Sequence, residues 1–555
     1  MWTYVLLAPF SLFFAYRACN LLRNYLAARR YSVPIILLPV SFEDAWWIPL
    51  RPLFSWVERL PFNLGSWYIF TTMGWPTEDE YRTVSRLGET FVLCSPTRNT
   101  IATCYPPALQ KVFGEHKNWP QPESQSQMFA FYGQNVSSTN GAEWQRHRKI
   151  TARAFSEATC REAWQETVRR VKSVDFERES ERTLGRVRTT FDLLAMQVLA
   201  NVGFGQDIEL TSVPPGHRES LMGSLGFILE HVMLTLVFNS LKAPDIMLPG
   251  ILKRLKVSVA EFRLYMKEAV LRHMQASKTK TDQPGRTSLL EAMVKANEAE
   301  KQQLQKTTSR PSYLTESELY GNIFVFNLAG YETTASTLTF ALPYLAAHPE
   351  TQDWVIEEVD RYYVQRSTDD EYENTYPKLV RCLAVMHETL RLASPAPLLV
   401  RSPNEPTELP VSTSDGPTTV TVDPGTLVGG NFYGAHLSSR WGPDAETFDP
   451  KRFVSISSAG EERVAVPEGP MYCPWIFGTR VCPGKKFSQV EFVALIAQIM
   501  SEWKIDVLRL EGEDEQVARG RLMGVLKEKY FNISTHLKRP EDAGVRFVRR
   551  RRAHV

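Results

Sequence analysis

Cysteine pairs, metal-ligand spacings and net charge are what this sequence has least of. Its seven cysteines, Cys19, Cys94, Cys104, Cys160, Cys382, Cys473 and Cys482, include no C-x-x-C. An odd, scattered set of this kind suits a reducing compartment, not a disulfide framework. Structural zinc and iron–sulfur clusters want several Cys or His at short spacing, and none occurs. Lys and Arg number 64 against 62 Asp and Glu, a balance that argues against nucleic acid as a partner. No internal repeat of about 20–50 residues is apparent, which leaves out solenoids and propellers. What is present is a 555-residue chain, 43% hydrophobic and 11% aromatic, with enough apolar content for a large core.

One stretch concentrates unusual residues. Trp475-Ile476-Phe477-Gly478-Thr479-Arg480-Val481-Cys482-Pro483-Gly484 puts a single cysteine on a turn bounded by glycines, ahead of a helically periodic apolar run from Gln489 to Trp503. A cysteine at the mouth of a helix meets orphan N–H groups and the positive end of the dipole; Arg480 adds a cation, and all three favour thiolate. Glycines let the backbone approach a flat ligand, and Pro483 withholds one N–H where the chain turns. A buried inert cysteine is the bland alternative. The crowding of Gly478, Arg480, Cys482, Pro483 and Gly484 argues instead for a metal held by one thiolate. A lone thiolate points to haem iron, whose equatorial ligands come from the porphyrin.

This segment resembles the haem-binding loop of the cytochrome P450 monooxygenases, Phe-x-x-Gly-x-Arg-x-Cys-x-Gly. Gly478, Arg480, Cys482 and Gly484 match it, and Trp475 stands where Phe is usual. The resemblance implies haem b with Cys482 as the axial ligand to iron, the loop residues Trp475, Gly478, Arg480 and Gly484 seating the cofactor.

Three further motifs follow in family order. Trp144 and Arg148, four apart on one helix face, resemble the Trp-x-x-x-Arg helix that holds a haem propionate, with a surface salt-bridge helix as the plain alternative. The long polar loop before it, 120–141, carries an aromatic insert at 128–132, and loops of that length are often binding loops. Between Glu318 and His348 the one charged residue is Glu332, in a helix opened by a capping box from Thr315 to Glu318. A helix apolar on nearly all sides is buried or spans a membrane; its Asn, Thr, Ser and Pro residues favour burial. Within it Ala329-Gly330-Tyr331-Glu332-Thr333-Thr334 combines a glycine costing about 1 kcal/mol against Ala with a carboxylate among apolar neighbours and threonines able to open their own turn. The run resembles the family's Ala/Gly-Gly-x-Asp/Glu-Thr motif, which implies Thr333 beside the oxygen-binding face of the iron and Glu332 relaying protons. Third, a helix over 378–392 places Glu388 and Arg391 at i and i+3, a weak signal by itself. In the family these join a later arginine, here Arg452, in a buried triad behind the haem. Arg401 falls where the family supplies another propionate partner, with Ala396, Leu398 and Leu399 as pocket wall.

At the front, Met1–Tyr16 is uncharged and precedes Arg17, Arg23, Arg29 and Arg30. Sixteen residues rise ~24 Å, short of the hydrocarbon core; letting Arg17 snorkel extends the run to Leu22. Positive charge after the apolar run, and no small-residue cleavage site, favour an uncleaved anchor over a secretory signal. The expected organisation is a transmembrane anchor over 1–22, a proline- and aromatic-rich linker over 23–75 that either folds on the globule or rests in the interface, and a catalytic domain over 76–555. The fold expected is mainly α with a small β region, the cytochrome P450 fold. The basic side downstream orients the domain to the cytosol, single-pass, on the endoplasmic reticulum membrane. Sequons at Asn135 and Asn532 offer a check, since a glycan on either would put the domain in the lumen.

The reaction implied by the resemblance inserts one oxygen atom of dioxygen into a lipophilic small molecule, with electrons from NADPH through NADPH–cytochrome P450 reductase. The Trp475–Phe492 and Trp144–Lys149 runs look like filamentous-fungal microsomal members, many of which tailor polyketides, terpenoids or peptide hybrids. Fatty-acid or xenobiotic hydroxylation is the alternative. A haem-thiolate isomerase or dehydratase would need no oxygen activation, and Thr333 with Glu332 speaks against it. A non-enzymatic membrane protein is the remaining rival.

Overall fold

One long helix carries the architecture. Thr315 caps it through the Glu318 N–H, and the Glu318 carboxylate returns to the Thr315 N–H at 2.8 Å. Both orphan donors being satisfied, the helix runs unbroken from Glu316 to Ala347 (α6), ~48 Å at 1.5 Å per residue. Its first half, through Leu319, Ile323, Phe324, Leu328 and Ala335, lies in one apolar cluster. Its second half, from Leu338 to Ala347, lies in another. The 329–334 stretch sits where the two meet.

These relations come from a computed structural model that describes residues 2–44, 46–126, 129–177, 181–204, 211–231, 234–235, 248–279, 288–304, 312–364 and 371–551. The helices that build the clusters are α1 (Trp2–Ala28), α2 (Gly141–Thr151), α3 (Glu157–Lys172), α4 (Leu184–Phe204), α5 (Gly250–Thr279), α6, α7 (Val380–Leu392) and α8 (Lys485–Glu502). In α8, Val490, Phe492, Val493, Leu495, Ile496 and Ile499 are all fully buried. This is a helix buried on every side, packed with α3, α4, α7 and the second half of α6. Met128, of the aromatic insert, and residues 236–247, 280–287 and 305–311 lie outside the described residues. The apolar run 221–238 begins as the helix Leu221–Glu230, with 232–233 and 236–238 outside the described residues, and between 288 and 304 the helix Leu289–Leu304 is seen.

The largest sheet of the small β region is five-stranded, in the order β1 (Ile35–Leu37), β2 (Thr90–Cys94), β3 (Asn99–Thr103), β5 (Leu427–Asn431), β4 (Leu398–Arg401). β4 pairs antiparallel with β5, bringing Arg401 opposite Val428. A separate hairpin, β6 (Lys529–Phe531) with β7 (Thr535–Leu537), delivers residues 532–534 against α6. The C-terminal arginines are in part tied down: Arg550 grips Asp360 and the Met500 carbonyl, and Arg549 reaches Glu177. Arg552 lies outside the described residues.

The front end departs from the expected anchor. No described helix is long and apolar enough to cross a membrane. α1 passes straight through residue 22, and Arg17 does not snorkel. Its two Nη atoms meet both Asp44 oxygens at 2.8 and 2.6 Å. Burial pushes the Asp44 carboxyl upward, but the Arg17 bond, the Ser41 N–H and Thr97 together hold it below the ordinary range. Leu21, Tyr25 and Ala28 then pack on the sheet core, and β1 extends that sheet in parallel with β2. Residues 23–75 are therefore built into the fold and not merely a tether. The Asn135 sequon is also closed: its side chain is fully buried and donates to the Phe129 carbonyl at 2.7 Å, leaving no amide for a glycan.

Candidate active site

The Cys482 turn is held by its backbone. Cys482 N–H donates to the Trp475 carbonyl at 3.0 Å, and Lys485 N–H returns to the Cys482 carbonyl at 3.3 Å. Gly478 takes φ +71, a conformation open to glycine. Ile476, two residues earlier, takes φ +55, which a β-branched side chain adopts only where its surroundings enforce it. Trp475 takes the aromatic role the sequence assigns it, donating from Nε1 to Ser488 Oγ at 3.1 Å and packing on His387 of α7.

The sulfur itself is exposed, yet burial dominates its ionisation and pushes the thiol up, opposed by the Gly484 N–H and by Arg148. Both hold for a group that protein surrounds but does not touch on one side, so Cys482 faces an internal gap. The cation acting on it is Arg148 and not the expected Arg480. Arg480 turns away to the Thr139 carbonyl at 2.8 Å and Asn140 Oδ1 at 3.0 Å, and stacks on Trp144 at 4.7 Å.

The opposite wall of the gap is α6. Among buried neighbours, Ala329 is exposed and Phe326, Gly330 and Thr333 are half-buried, a spacing that puts all four on one helix face. Phe326 meets Phe155 edge-on at 5.3 Å, and Phe155 meets Phe487 beside the Cys482 turn, closing one side. Ala396, exposed between the buried Pro395 and Pro397, and the half-buried Leu399 complete the small-residue lining. Gly330 packs closely on α4, since a Cβ there would lie 3.0 Å from a terminal methyl of Leu199, which would have to give way by a little. Thr333 Oγ1 donates to the Ala329 carbonyl at 2.7 Å and Thr334 Oγ1 to the Gly330 carbonyl at 3.0 Å.

Glu332 points elsewhere. Its Oε1 accepts from Arg188 Nη2 of α4 at 2.7 Å and from Ser534 Oγ at 2.6 Å, with His536 Nε2 at 3.3 Å. Burial pushes this carboxyl up, but His536, Arg188 and Ser534 outweigh it and hold it at about 2. The sequence pairs Thr333 with Glu332; the structure separates them, Thr333 on the gap and Glu332 in an ion pair behind it.

Guanidiniums gather at the rim without carboxylates among the described residues. Arg401 is 3% exposed, its Nη1 donating only to its neighbour's carbonyl, Val400 O, while the group stacks on Phe113. Burial, with the charge of Arg480, lowers it to about 9. Burial lowers Arg480 to about 10 and lowers Arg148 as well. Desolvated cations without acid partners await an anion from outside the chain. His116 joins them, 2.9 Å from Thr479 Oγ1 and 5.5 Å from Trp144; nothing in the sequence marks it. One open thiol, a small-residue slot and unpaired cations at its rim fit a flat, dianionic, sulfur-ligated macrocycle. No group of three or more Cys, His, Asp or Glu among the described residues offers a rival metal site.

Behind the turn, Glu388 and Arg391 are fully buried and bidentate, at 2.7 and 2.8 Å. Arg391 also donates to the carbonyls of His436, Ala445 and Thr447, and Glu388 accepts from Asp449 N–H at 2.9 Å. Arg452, the expected third member, stands 3.6 Å from Glu388 and spends its strongest bonds on Asp444 at 2.6 and 2.8 Å. The triad is thus one tight pair with a looser satellite.

The cytochrome P450 family model matches residues 73–533. A cytochrome P450 monooxygenase numbered 124, from Postia placenta, is 29% identical over 438 residues, 77% of this chain and 80% of that protein. The phomenoic acid biosynthesis cluster cytochrome P450 monooxygenase of Leptosphaeria maculans is 27% identical, covering 97% of this chain and 98% of its own length. The cytochrome P450 monooxygenase ORF6 of Penicillium roqueforti is 25% identical over 92% of each. With that match spanning most of its length, and an open cysteine seated where the haem-thiolate motif requires one, the chain belongs to the cytochrome P450 family.

Proposed function

We propose that this cytochrome P450 monooxygenase oxidises a lipophilic small molecule in a tailoring step of fungal secondary metabolism, drawing electrons from NADPH through a membrane-bound reductase. The observation that carries the oxygen-inserting reading is Thr333, half-buried on the α6 face that also carries Ala329 and Gly330. An isomerase or dehydratase has no use for a hydroxyl there. The tailoring role is supported by the name of the Leptosphaeria relative.

Cys482 would hold the haem through its sulfur, and Arg148, Arg401 and Arg480 would neutralise its carboxylates, which pair well with guanidinium forks. When bound, the haem supplies oxygen activation, and a thiolate ligand favours O–O cleavage. The chain does the rest. Phe155 and Phe326 keep water out, Ala329, Gly330 and Ala396 leave room for a flat ligand, and Thr333 Oγ1 holds a proton at the oxygen-facing wall. Glu332, ionised behind that wall, would be the carboxylate that takes up protons and passes them toward it. Incubating the protein with reductase, NADPH, labelled dioxygen and polyketide and terpenoid scaffolds tests the reading. One labelled oxygen atom per product molecule is expected; product oxygen without label, drawn from water, or isomerised product would refute it.

The same reading places the protein on the endoplasmic reticulum membrane with its catalytic domain in the cytosol. Phe13 of α1 meets Trp46, which meets Trp47, and Trp47 meets Phe54. An apolar surface with Leu53, Trp56, Phe62 and Leu64 exposed runs on from there. Phe62 is 93% exposed at φ +59, an aromatic held out at the tip of a strained turn. Such a surface suits a lipid interface, with the Arg17–Asp44 clamp fixing its tilt. Burying one large apolar side chain is worth roughly 1.5–3 kcal/mol. Replacing Leu53, Trp56 and Phe62 together with serine should therefore weaken flotation with phosphatidylcholine–phosphatidylserine vesicles by about tenfold or more. Unchanged flotation would remove this face from the membrane.

A further inference from the structure

Glu491 of α8 is 2% exposed and faces the back of the 329–334 turn. The Thr334 hydroxyl lies 3.4 Å from its Oε2, and its Oε1 is buried with no partner among the described residues. Other buried carboxylates are better served. Glu332 has Arg188, Glu388 has Arg391, and Glu358 accepts the N–H groups of Arg381 and Cys382. No charge on the elements packed against α8 assists Glu491. Glu166 of α3 holds Arg169 and Arg170, the α7 pair is closed on itself, and Glu332 is engaged on the far side of α6. Burial raises its carboxyl to about 8, opposed only by Thr334. An ionised group there would be desolvated and unpaired, so the acid keeps its proton at neutral pH.

A threonine hydroxyl has one proton, and Thr334 has two acceptors for it, the Gly330 carbonyl at 3.0 Å and Glu491 Oε2 at 3.4 Å. A neutral acid is the weaker acceptor and leaves that proton on the Gly330 carbonyl, alongside the Thr333 bond to Ala329. Both carbonyls belong to the turn that presents Ala329, Gly330 and Thr333 to the gap. Were Glu491 ionised, Thr334 would turn its proton to the carboxylate and release the Gly330 carbonyl.

We propose that Glu491 is a positioning residue for the oxygen-facing turn, a neutral acid that holds Thr334 in the rotamer pinning the Gly330 carbonyl and so sets the polarity of the wall opposite Cys482. This rests on the haem-thiolate reading of the site. Carbon monoxide, bound to the reduced full-length haem protein, is the probe, because its infrared stretch reports the polarity of that wall. Glu491→Leu should shift or broaden the stretch, while Glu491→Gln, which keeps a neutral polar group, should leave it at the wild-type position. An infrared band of a protonated carboxylic acid should be present in the wild type at neutral pH and lost in both variants. An identical carbon monoxide stretch in all three proteins, or no acid band in the wild type, would overturn the proposal. Should Glu491→Leu fail to fold, pH replaces it: the wild-type stretch should move as pH rises through about 8, and that of Glu491→Gln should not. Parallel behaviour would again overturn it. The linkage has a matching sign. A raised folded-state value gives stability that is present below the ordinary carboxylate range and lost as pH climbs through about 8. Glu491→Gln should therefore melt higher than wild type above that pH. A visible thiolate-type spectrum in all three separates failure of this proposal from failure of the haem-thiolate reading.

Discussion

Glu388→Ala is expected to yield protein that lacks haem. The substitution leaves the Arg391 guanidinium fully buried with carbonyls but no counter-charge. Breaking a buried pair by removing one partner costs about 3–5 kcal/mol, a large share of what holds a domain folded. The damage falls where the cofactor sits. His387, next in the chain, stacks on Phe453 and packs on Trp475 at the head of the Cys482 turn, and Glu388 also caps the Asp449 N–H that starts the segment leading there. Arg391→Ala should behave alike, since it strands Glu388. Arg452→Ala should not. Its contact with Glu388 is 3.6 Å and its main bonds go to Asp444, which is half in solvent, so substantial haem should remain. The haem-to-protein ratio of the purified variants measures this. Full occupancy in Glu388→Ala, with unaltered melting, would detach the pair from cofactor binding.

The contrast among Glu388, Arg391 and Arg452 marks what a sequence can and cannot carry. The Cys482 turn was readable because its determinants are local: glycines set the backbone, and an apolar helix follows at once. Thr315 and Glu318 were readable for the same reason, as a cap is written in four consecutive residues. The partners of Glu332 were not, because Arg188 and Ser534 lie 144 and 202 residues away and nothing on α6 names them. Adjacency even misleads. Arg480 stands two positions from Cys482, but the turn at Gly478 sends it to Thr139 and Asn140, while Arg148, far off in sequence, is the cation the sulfur feels. The front end fails by the same logic. A hydropathy reading extends the apolar run past Arg17 because it cannot see Asp44, 27 residues on, waiting as its counter-ion. The carboxyl of Glu491 is invisible for a third reason: its importance lies in having almost no partner.

Cys482→Ala should abolish the thiolate-type spectrum of the reduced carbon monoxide complex and all turnover, while leaving the fold in place. The second half of that expectation separates it from Glu388→Ala. The Cys482 side chain faces the gap and packs against little, and its structural contribution is the backbone pair with Trp475 and Lys485, which alanine keeps. Substitutions away from packed or networked positions usually change stability by about 0.5 kcal/mol or less, so far-ultraviolet circular dichroism and melting should match wild type. No buried cysteine can substitute, and the one other exposed cysteine, Cys19, belongs to α1 and not to the Cys482 turn. Cys473, the nearest in sequence, is buried, its thiol is pushed well up by burial, and its Sγ is directed at the Pro470 carbonyl at 3.6 Å. Cys94, Cys104, Cys160 and Cys382 are buried likewise, and a thiolate is needed because only the ionised sulfur ligates the metal. Cys473→Ala is the matched control and should retain the wild-type spectrum. Haem held loosely by Arg148, Arg401 and Arg480 without its sulfur would give a different, non-thiolate band in Cys482→Ala. A thiolate-type band persisting in that variant would mean that the iron is held elsewhere, and the site built around residue 482 would have to be abandoned.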